Sequence, residues 1–346
     1  MAMSQRLKIA LDYLKRHEAG ETYQQLLDYH NETYGAKRTR GFIFGLLRSA
    51  RNHVMDSKII QIPQAQVVVR HENLVSEQGE FNQQVDKILH DNRFVRVMHM
   101  NDMHLPYHDE RAVELFLKLA YAFQPHVNVM GSDAFDNPTI SRYPSDKDIS
   151  VDDWLIQSET YWKPIVDATN NVIPNALKPF IQGNHDRRSL QEIGESSYPR
   201  VGFQKLHEIV TYGGVKWLGK TECVKIGALN VIHGKRFNKH TAASTSDDFK
   251  NEAVNAGHTH RPQMVNSCVI NGMLCQKEQF YDDNGYPSPH QHGTTLITID
   301  MLTGKVVQVP YLFAESNNQL WTVYNSQPML SKRIEYTRQG RKAEVA

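Results

Sequence analysis

Three features of this sequence predict an α/β protein: two mixed β-sheets packed face to face and flanked by helices in four layers, with a small helical, winged-helix-like domain in front. Strand-like and helix-like runs alternate from Phe94 to Asp186, and such alternation implies parallel strands joined by crossover helices. Past about residue 205 the texture turns β-rich, with glycines marking turns at 213-214, 219 and 227, as a second sheet requires. Residues 1 to about 58 carry three helical faces, followed by two β-rich runs joined through Pro63.

In the first segment Leu7, Ala10, Leu11 and Leu14 recur at helical spacing, and Gly20 ends that helix. Tyr23, Leu26, Leu27 and His30 form a second face, and Thr39 opens a third through Phe42, Ile43, Leu46, Leu47 and Val54. The stretch Met1–Ile60 holds ten Lys/Arg against six Asp/Glu, and Arg38, Arg40, Arg48 and Arg51 fall on or just before the third helix. These four are the candidate phosphate-gripping residues of a nucleic-acid-binding domain spanning 1–70. A helical packing module with solvated basic residues fits the same pattern. Residues 71–93 are polar and charge-rich, and are expected to form a linker with room for one helix. The main domain is expected over 94–314. In it, Asp109 opens a helix carrying Val113, Phe116, Leu117 and Ala120, and 151–170 forms another through Trp154, Tyr161 and Ile165. Met264–Ile270, Met273–Phe280, Thr294–Asp300 and Lys305–Leu312 read as strands of the second sheet, with hairpin signals at Asn271-Gly272 and Thr303-Gly304. Residues 315–346 thin in apolar content and read as a tail.

Composition narrows the class without naming a partner. The 346 residues carry 39 Lys+Arg and 38 Asp+Glu, so bulk charge favours neither an acidic nor a basic ligand. Three widely spaced cysteines, Cys223, Cys268 and Cys275, make no metal-type CxxC pair and no disulfide framework; they read as packed small residues in a reducing compartment. No apolar run is long enough for a membrane span and no signal-type h-region opens the sequence. A cytoplasmic protein without a membrane partner is the expectation.

The chemistry sits in five short stretches that follow one another in order. They are Asp102-Met103-His104, Gly131-Ser132-Asp133-Ala134-Phe135-Asp136-Asn137, Gly183-Asn184-His185-Asp186, His233-Gly234 and Gly257-His258-Thr259-His260. Several follow an apolar run directly, which places them at strand ends, where open α/β sheets bind ligands. Together they collect carboxylate, amide and imidazole groups suited to hard or borderline divalent cations.

In this order the five stretches resemble the motif set of the calcineurin-like metallophosphoesterases, over roughly residues 94–312. The resemblance implies the four-layer metallophosphoesterase sandwich and a pair of divalent ions. Manganese is the first expectation from the mixed oxygen and nitrogen ligands, with magnesium, iron or zinc able to substitute. It implies that Asp102, His104, Asp133 and His260 hold one ion. Asp133 would bridge to a second ion completed by Asn184, His233 and His258, and a hydroxide between the ions would be the nucleophile. His185 would assist the leaving group, supported by Asp136. One position departs from the pattern: Ser132 stands where the family usually has glycine before the bridging aspartate.

Gly183-Asn184-His185-Asp186 resembles the phosphodiesterase branch more than the protein phosphatases, which typically end that motif in Glu. The expected function is therefore a metal-dependent phosphodiesterase, a nuclease on DNA or RNA. Two other enzymatic readings stay open, a phosphomonoesterase or protein phosphatase and a small cyclic-nucleotide phosphodiesterase. A third alternative is a non-catalytic DNA-binding protein on the same fold. His108, Asn137, Arg142 and Arg187 are candidate substrate contacts by their nearness to the motifs.

Overall fold

The computed structural model describes residues 8–9, 12–13, 15–16, 19, 23–34, 71–136, 150–195, 199–219, 221–277, 289–336 and 342–345. The chain divides into two compact units, Met1–Val68 and Val69–Ala346. In the first, helix α1 (Tyr23–Tyr34) buries Leu26, Leu27 and His30. Those three positions share one face at i, i+1 and i+4 spacing. The His30 ring closes on the Tyr13 hydroxyl at 2.7 Å. The expected third helix and hairpin, with Arg38, Arg40, Arg48 and Arg51, lie outside the described residues.

The second unit opens with α2 (His71–Asp91), β1 (Phe94–Met100), α3 (Glu110–Phe123), β2 (Val127–Gly131), α4 (Val151–Val172) and β3 (Pro179–Ile181). It continues with α5 (Asn184–Glu195), α6 (Pro199–Val210), β4 (Lys216–Trp217), β5 (Cys223–Ile226), β6 (Leu229–Ile232), α7 (Thr241–Asp248) and β7 (Ala253–Ala256). β8 (Gln263–Val265), β9 (Cys268–Ile270), β10 (Gly293–Asp300) and β11 (Lys305–Leu312) complete two sheets. The first has the order β11-β10-β1-β2-β3-β4 and the second β5-β6-β7-β9-β8. β1 to β4 run parallel, with β10 and β11 antiparallel at one side. β6, β7 and β9 are parallel, with β5 and β8 antiparallel at the edges.

The side-chain period of a strand explains the layering. Along β1, Val95 and Val97 face one way and pack with Val224, Ile226, Leu229 and Val231 of the second sheet. Met98 and Met100 face the other way and pack with Phe116, Trp154, Trp162 and Leu206 from α3, α4 and α6. The far side of the second sheet, through Val254, Ala256 and Ile270, is covered by Ala242 of α7. Helices, sheet, sheet and helix give the four layers expected from the sequence. No helix among the described residues is long and apolar enough to cross a membrane.

Several details refine or differ from the expectation. Of the strand expected over Met273–Phe280, the described residues 273–277 form isolated bridges, Met273 with His292 and Cys275 with His108, and 278–280 lie outside the described residues. Residues 71–91, expected as a linker with room for one helix, form that helix, and its Phe81 and Val85 are buried in the cluster between the sheets. Thr294–Asp300 and Lys305–Leu312 join the first sheet, because β10 pairs antiparallel with β1 from Phe94↔Asp300 to Val97↔Ile297. Asn271-Gly272 makes no hairpin: the hairpin here is β8–β9, turning at Val265↔Cys268, and the Asn271 amide is buried in a polar network. In the tail expected over 315–346, residues 315–330 are docked. They belong to a three-stranded sheet of β12 (Ala314–Ser316), β13 (Gln319–Tyr324) and β14 (Gln327–Leu330), with Leu320 fully buried in the core that includes Phe116. β15 (Arg333–Tyr336) and β16 (Lys342–Val345) pair beyond it.

The docked sheet is tied to α3 by a buried charge cluster. Asp109 caps α3 by accepting from the Arg111 backbone N–H at 2.9 Å, and takes the Arg111 guanidinium on both oxygens at 3.0 and 2.7 Å. Arg111 reaches Glu315 with its remaining nitrogen at 2.7 Å. Burial alone would raise the Asp109 carboxyl, but the bonds and charge of Arg111 outweigh it and hold the group below its ordinary value of 3.8.

Two measurements test this packing. Phe81→Ala should destabilise the Val69–Ala346 unit by about 3–5 kcal/mol in denaturant unfolding; an unchanged midpoint means the helix does not share the core. Asp109→Asn should cost about 3 kcal/mol at neutral pH. Because the folded carboxyl titrates below 3.8, its stabilisation is present above that value and lost as pH falls through the lowered one. The gap between parent and variant melting temperatures should therefore close only below pH 3.8.

Candidate metal centre

β1, β2 and β3 lie side by side and parallel in one sheet, and β6 and β7 do so in the other, so all five motif stretches leave the carboxyl ends of neighbouring strands. Backbone bonds then stitch the loops together. Asp102 N–H donates to the Ser132 carbonyl at 2.9 Å, His104 N–H to the Asp133 carbonyl at 3.0 Å, and Gly257 N–H to the His233 carbonyl at 3.0 Å. Crowding these side chains inward strains the backbone. Asp102, His104, Ser132, Asp133, His258 and His260 all have φ between 49° and 79°, the left-handed region that costs an L-residue roughly 1–2 kcal/mol. Two glycines make room. A Cβ on Gly183 would stand 2.1 Å from Asp133 Oδ1, and one on Gly257 would stand 2.4 Å from Asp102 Oδ2.

The donors fall into two sets with Asp133 between them. In one set, His260 Nε2 is 3.4 Å and His104 Nε2 is 3.9 Å from Asp102 Oδ1, and the two ring nitrogens are 3.2 Å apart. In the other, His233 Nε2 lies 2.8 Å from Asn184 Oδ1 and 3.1 Å from His258 Nδ1. Asp133 Oδ2 is 3.2 Å from His233 Nε2 and 4.0 Å from His104 Nε2. Asp102, His104, Asp133, His233 and His260 are buried. Two imidazole nitrogens cannot face each other at such distances with both lone pairs inward; a proton or a cation must stand between them. Buried carboxylate oxygens and ring nitrogens converging in this way fit borderline divalent ions. Among the described residues, His104–Asp133–His185, Asp133–His233–His258 and His104–His260–Cys275 are the groups whose donor atoms lie close enough to hold a metal ion.

The electrostatics keep Asp102, Asp133, His104 and His258 in the forms that bind cations, whereas for His233 burial is outweighed by the Asp133 charge and bond, which raise it. Burial alone would raise Asp102 and Asp133, but hydrogen bonds and charge from His260 on the first, and from His233 on the second, hold both carboxyls below the usual range. Burial pushes His104 down, and burial with the His233 charge lowers His258 to about 4. His185 goes the other way. Burial opposes its proton, but the Asp136 bond and the Asp133 and Asp136 charges outweigh burial and raise it to about 9. Its Nδ1–H donates to Asp136 Oδ1 at 2.9 Å, while the other Asp136 oxygen stands 3.6 Å from His104 Nδ1.

Several supporting residues gain a role that the sequence did not assign them. Asp186 is a clip: it accepts from Gly183 N–H at 2.8 Å, Asp133 N–H at 2.9 Å and Phe135 N–H at 3.0 Å. Burial and the Asp133 charge raise its own carboxyl to about 6. Ser132, the departure from the family pattern, takes the strained φ of 57° and places its hydroxyl 2.9 Å from His233 Nδ1, leaving Nε2 to face Asp133. Behind Asp102, the Asn271 amide donates to Asn101 Oδ1 and Asn255 Oδ1, both at 2.9 Å. His99 Nδ1 meets Asn255 Oδ1 at 3.0 Å. This polar layer sits between the sheets, where each buried polar group needs a partner. Of the expected substrate contacts, His108 is buried against Tyr161 at 5.3 Å between ring centroids. Arg187 is paired with Glu222, which turns it from free anion receptor into ion-pair partner. Asn137 and Arg142 lie outside the described residues.

No protein-family model matches the chain, and no curated protein matches it. Among solved structures it is similar to a single mutant of Vps29 from Entamoeba histolytica, at 11% identity and a TM-score of 0.33, over 73% of this chain and 100% of that one. Vacuolar Protein Sorting 29 from Cryptosporidium parvum aligns at 13% identity and a TM-score of 0.34, over 69% and 97%. Vps29 from Chaetomium thermophilum aligns at 8% and 0.32, over 72% and 93%. Likeness this slight carries nothing about what the site does.

Ser132 offers a test of the second donor set. Ser132→Ala should weaken zinc or manganese affinity about 10-fold, the usual effect of removing a ligand's orienting partner. Ser132→Gly should show the same loss yet unfold at a higher temperature than Ser132→Ala, since glycine carries no left-handed strain. Equal affinities in titration calorimetry across all three proteins would reject an orienting role.

Proposed function

We propose that this chain is a dinuclear metal-dependent phosphodiesterase, with nucleic acid as the substrate class. The observation that carries the reading is the Asp133 carboxylate set between two donor sets, with the His185–Asp136 pair beside it. Asp102, His104 and His260 would hold one ion and Asn184, His233 and His258 the other, with Asp133 shared. When bound, a pair of divalent cations supplies Lewis-acid polarisation of a phosphoryl group and makes water acidic enough to attack it.

The protein's own contribution follows from the geometry. Asp136 holds the Nδ1 side of His185, so Nε2 is the ring atom left to reach the substrate. With its value raised to about 9, His185 is protonated at neutral pH and can give a proton to the departing ester oxygen. The Asp186 clip fixes the Asp133 and Phe135 backbone, which keeps the shared carboxylate from following the substrate as charge builds up. A diester rather than a monoester is supported by the Gly183-Asn184-His185-Asp186 motif, which ends in Asp. A nucleic acid is supported by the basic excess of the first sixty residues.

The test is a hydrolysis panel with Mn²⁺: bis-p-nitrophenyl phosphate, p-nitrophenyl phosphate, single- and double-stranded DNA, RNA and cyclic nucleotides. Diesters should be cleaved, with nucleic acid preferred, and Asp133→Asn should abolish turnover. His185→Ala should cost about 10²–10⁴-fold on a nucleic acid, whose alkoxide leaving group needs a proton, and far less on the p-nitrophenyl diester, whose leaving group does not. Cleavage of the monoester alone sinks the diesterase reading; cleavage of cyclic nucleotides alone sinks the nucleic-acid one.

A further inference from the structure

Cys275 stands apart from the other two cysteines. Cys268 packs in the apolar cluster under α7, and Cys223 lies against that cluster. Cys275 is fully buried, and its sulfur falls within 4.8 Å of one ring nitrogen each of His104 and His260, which are themselves buried. The backbone on both sides of it is fastened to the loop that carries Asp102 and His104. Leu274 N–H donates to the Asp102 carbonyl at 3.1 Å, Gln276 N–H to the Tyr107 carbonyl at 2.9 Å, and Asp109 N–H to the Leu274 carbonyl at 2.8 Å. The Cys275 carbonyl accepts from His292 Nε2 at 2.8 Å. The sulfur is therefore presented by a fixed segment that is fastened to the loop delivering Asp102 and His104.

With the shared Asp133 oxygen, the set then reads Asp102 oxygen, His104 and His260 nitrogens and Cys275 sulfur. An ion with bonds of about 2.0–2.3 Å keeps neighbouring donors roughly 3–3.6 Å apart. The Asp102–His260 and His104–His260 separations of 3.4 and 3.2 Å match, the Asp102–His104 separation is wider at 3.9 Å, and the sulfur lies within 4.8 Å of both ring nitrogens. Resting on the dinuclear reading above, we propose that Cys275 is a thiolate ligand of the ion held by Asp102, His104 and His260. On binding, the thiol releases its proton to solvent and a sulfur lone pair forms the bond. A soft ligand in one half of the pair makes the two halves unlike. The Cys275 half favours zinc or iron(II) over manganese and magnesium, while the Asn184, His233 and His258 half keeps only oxygen and nitrogen donors.

Cobalt(II) is the probe, added to the full chain after chelation. The parent protein should show visible d–d bands together with a near-ultraviolet thiolate-to-cobalt charge-transfer band. Cys275→Ser should lose the charge-transfer band, keep the d–d bands, and shift the zinc-over-manganese preference by about 10-fold toward manganese. Cys223→Ser and Cys268→Ser should retain the band. Zinc-edge X-ray absorption on the unmutated protein needs no variant to fold, and should find sulfur at about 2.3 Å. A band that persists in Cys275→Ser, or a zinc sphere without sulfur, overturns the assignment. If that happens while diesters are still hydrolysed, the phosphodiesterase reading stands and the thiolate falls. If the sulfur bond is present without hydrolysis by the manganese, zinc or cobalt protein, the thiolate stands and the phosphodiesterase reading falls. Absence of both d–d and charge-transfer bands sinks the two together.

Discussion

The constraint on which this structure depends is the withdrawal of four carboxylates from solvent where two sheets meet: Asp102, Asp133 and Asp186 are buried and Asp136 half-buried. Removing an ion from water costs several kcal/mol even after relaxation, so each must be met by donors in the fold itself. Asp186 takes three backbone N–H groups. Asp102 accepts from the His258 N–H at 2.9 Å, Asp133 from the His185 N–H at 2.7 Å, and Asp136 from the His185 ring. Asp133, Asp136 and Asp186 are met by the loops that follow β2 and β3, neighbours in the first sheet. Asp102 is the acid whose backbone donor, His258 N–H, comes from the second sheet, and that bond ties the two halves of the sandwich together.

The same requirement explains the backbone strain in these loops. Bringing Asp102 within reach of His258 N–H and Asp133 within reach of His185 N–H forces the chain past itself at Gly257 and Gly183, where a methyl group would collide with a carboxylate. Six non-glycine residues at positive φ are over-determined by the bonds around them, which is how strain persists at functional sites. The aromatic packing beneath absorbs it. Phe135, inside the second motif, lies against Trp162 at 5.3 Å and Trp154 at 6.4 Å between centroids. Trp154 also donates its indole N–H to the Asp136 carbonyl at 3.1 Å. The loop bearing the shared carboxylate is anchored in the helical layer of the core.

The sequence carried the parts whose information is local. Motifs after apolar runs announced strand ends, and the alternation through Asp186 announced parallel strands. Pairing partners were not local. Thr294–Asp300 reads as a strand in any sheet, and nothing in its period of two says that its neighbour is Phe94–Val97 rather than the strand before it. Asn271-Gly272 was read as a hairpin because that dipeptide suits a tight turn. Here the Asn side chain serves a buried amide network instead, and Gly272 is needed because a Cβ would stand 2.5 Å from the Gln291 carbonyl. Arg187 sits next to a motif, yet its partner Glu222 is thirty-five residues away. Cys275 was read by spacing alone, and spacing says nothing of a sulfur brought beside His104 and His260 by a different segment.

Asp136 couples the two chemical roles of the site. One of its oxygens holds the His185 ring at 2.9 Å and the other faces His104 Nδ1 at 3.6 Å. The rings of His104 and His185 also meet edge to face at 4.7 Å. The Asp136 charge that raises His185 therefore also faces the His104 ring. Under the reading proposed above, a His185 that gave up its proton would leave that charge to His104 alone. Both rings depend on one carboxylate, placed by the Leu105 carbonyl that accepts the Asp136 N–H at 2.9 Å.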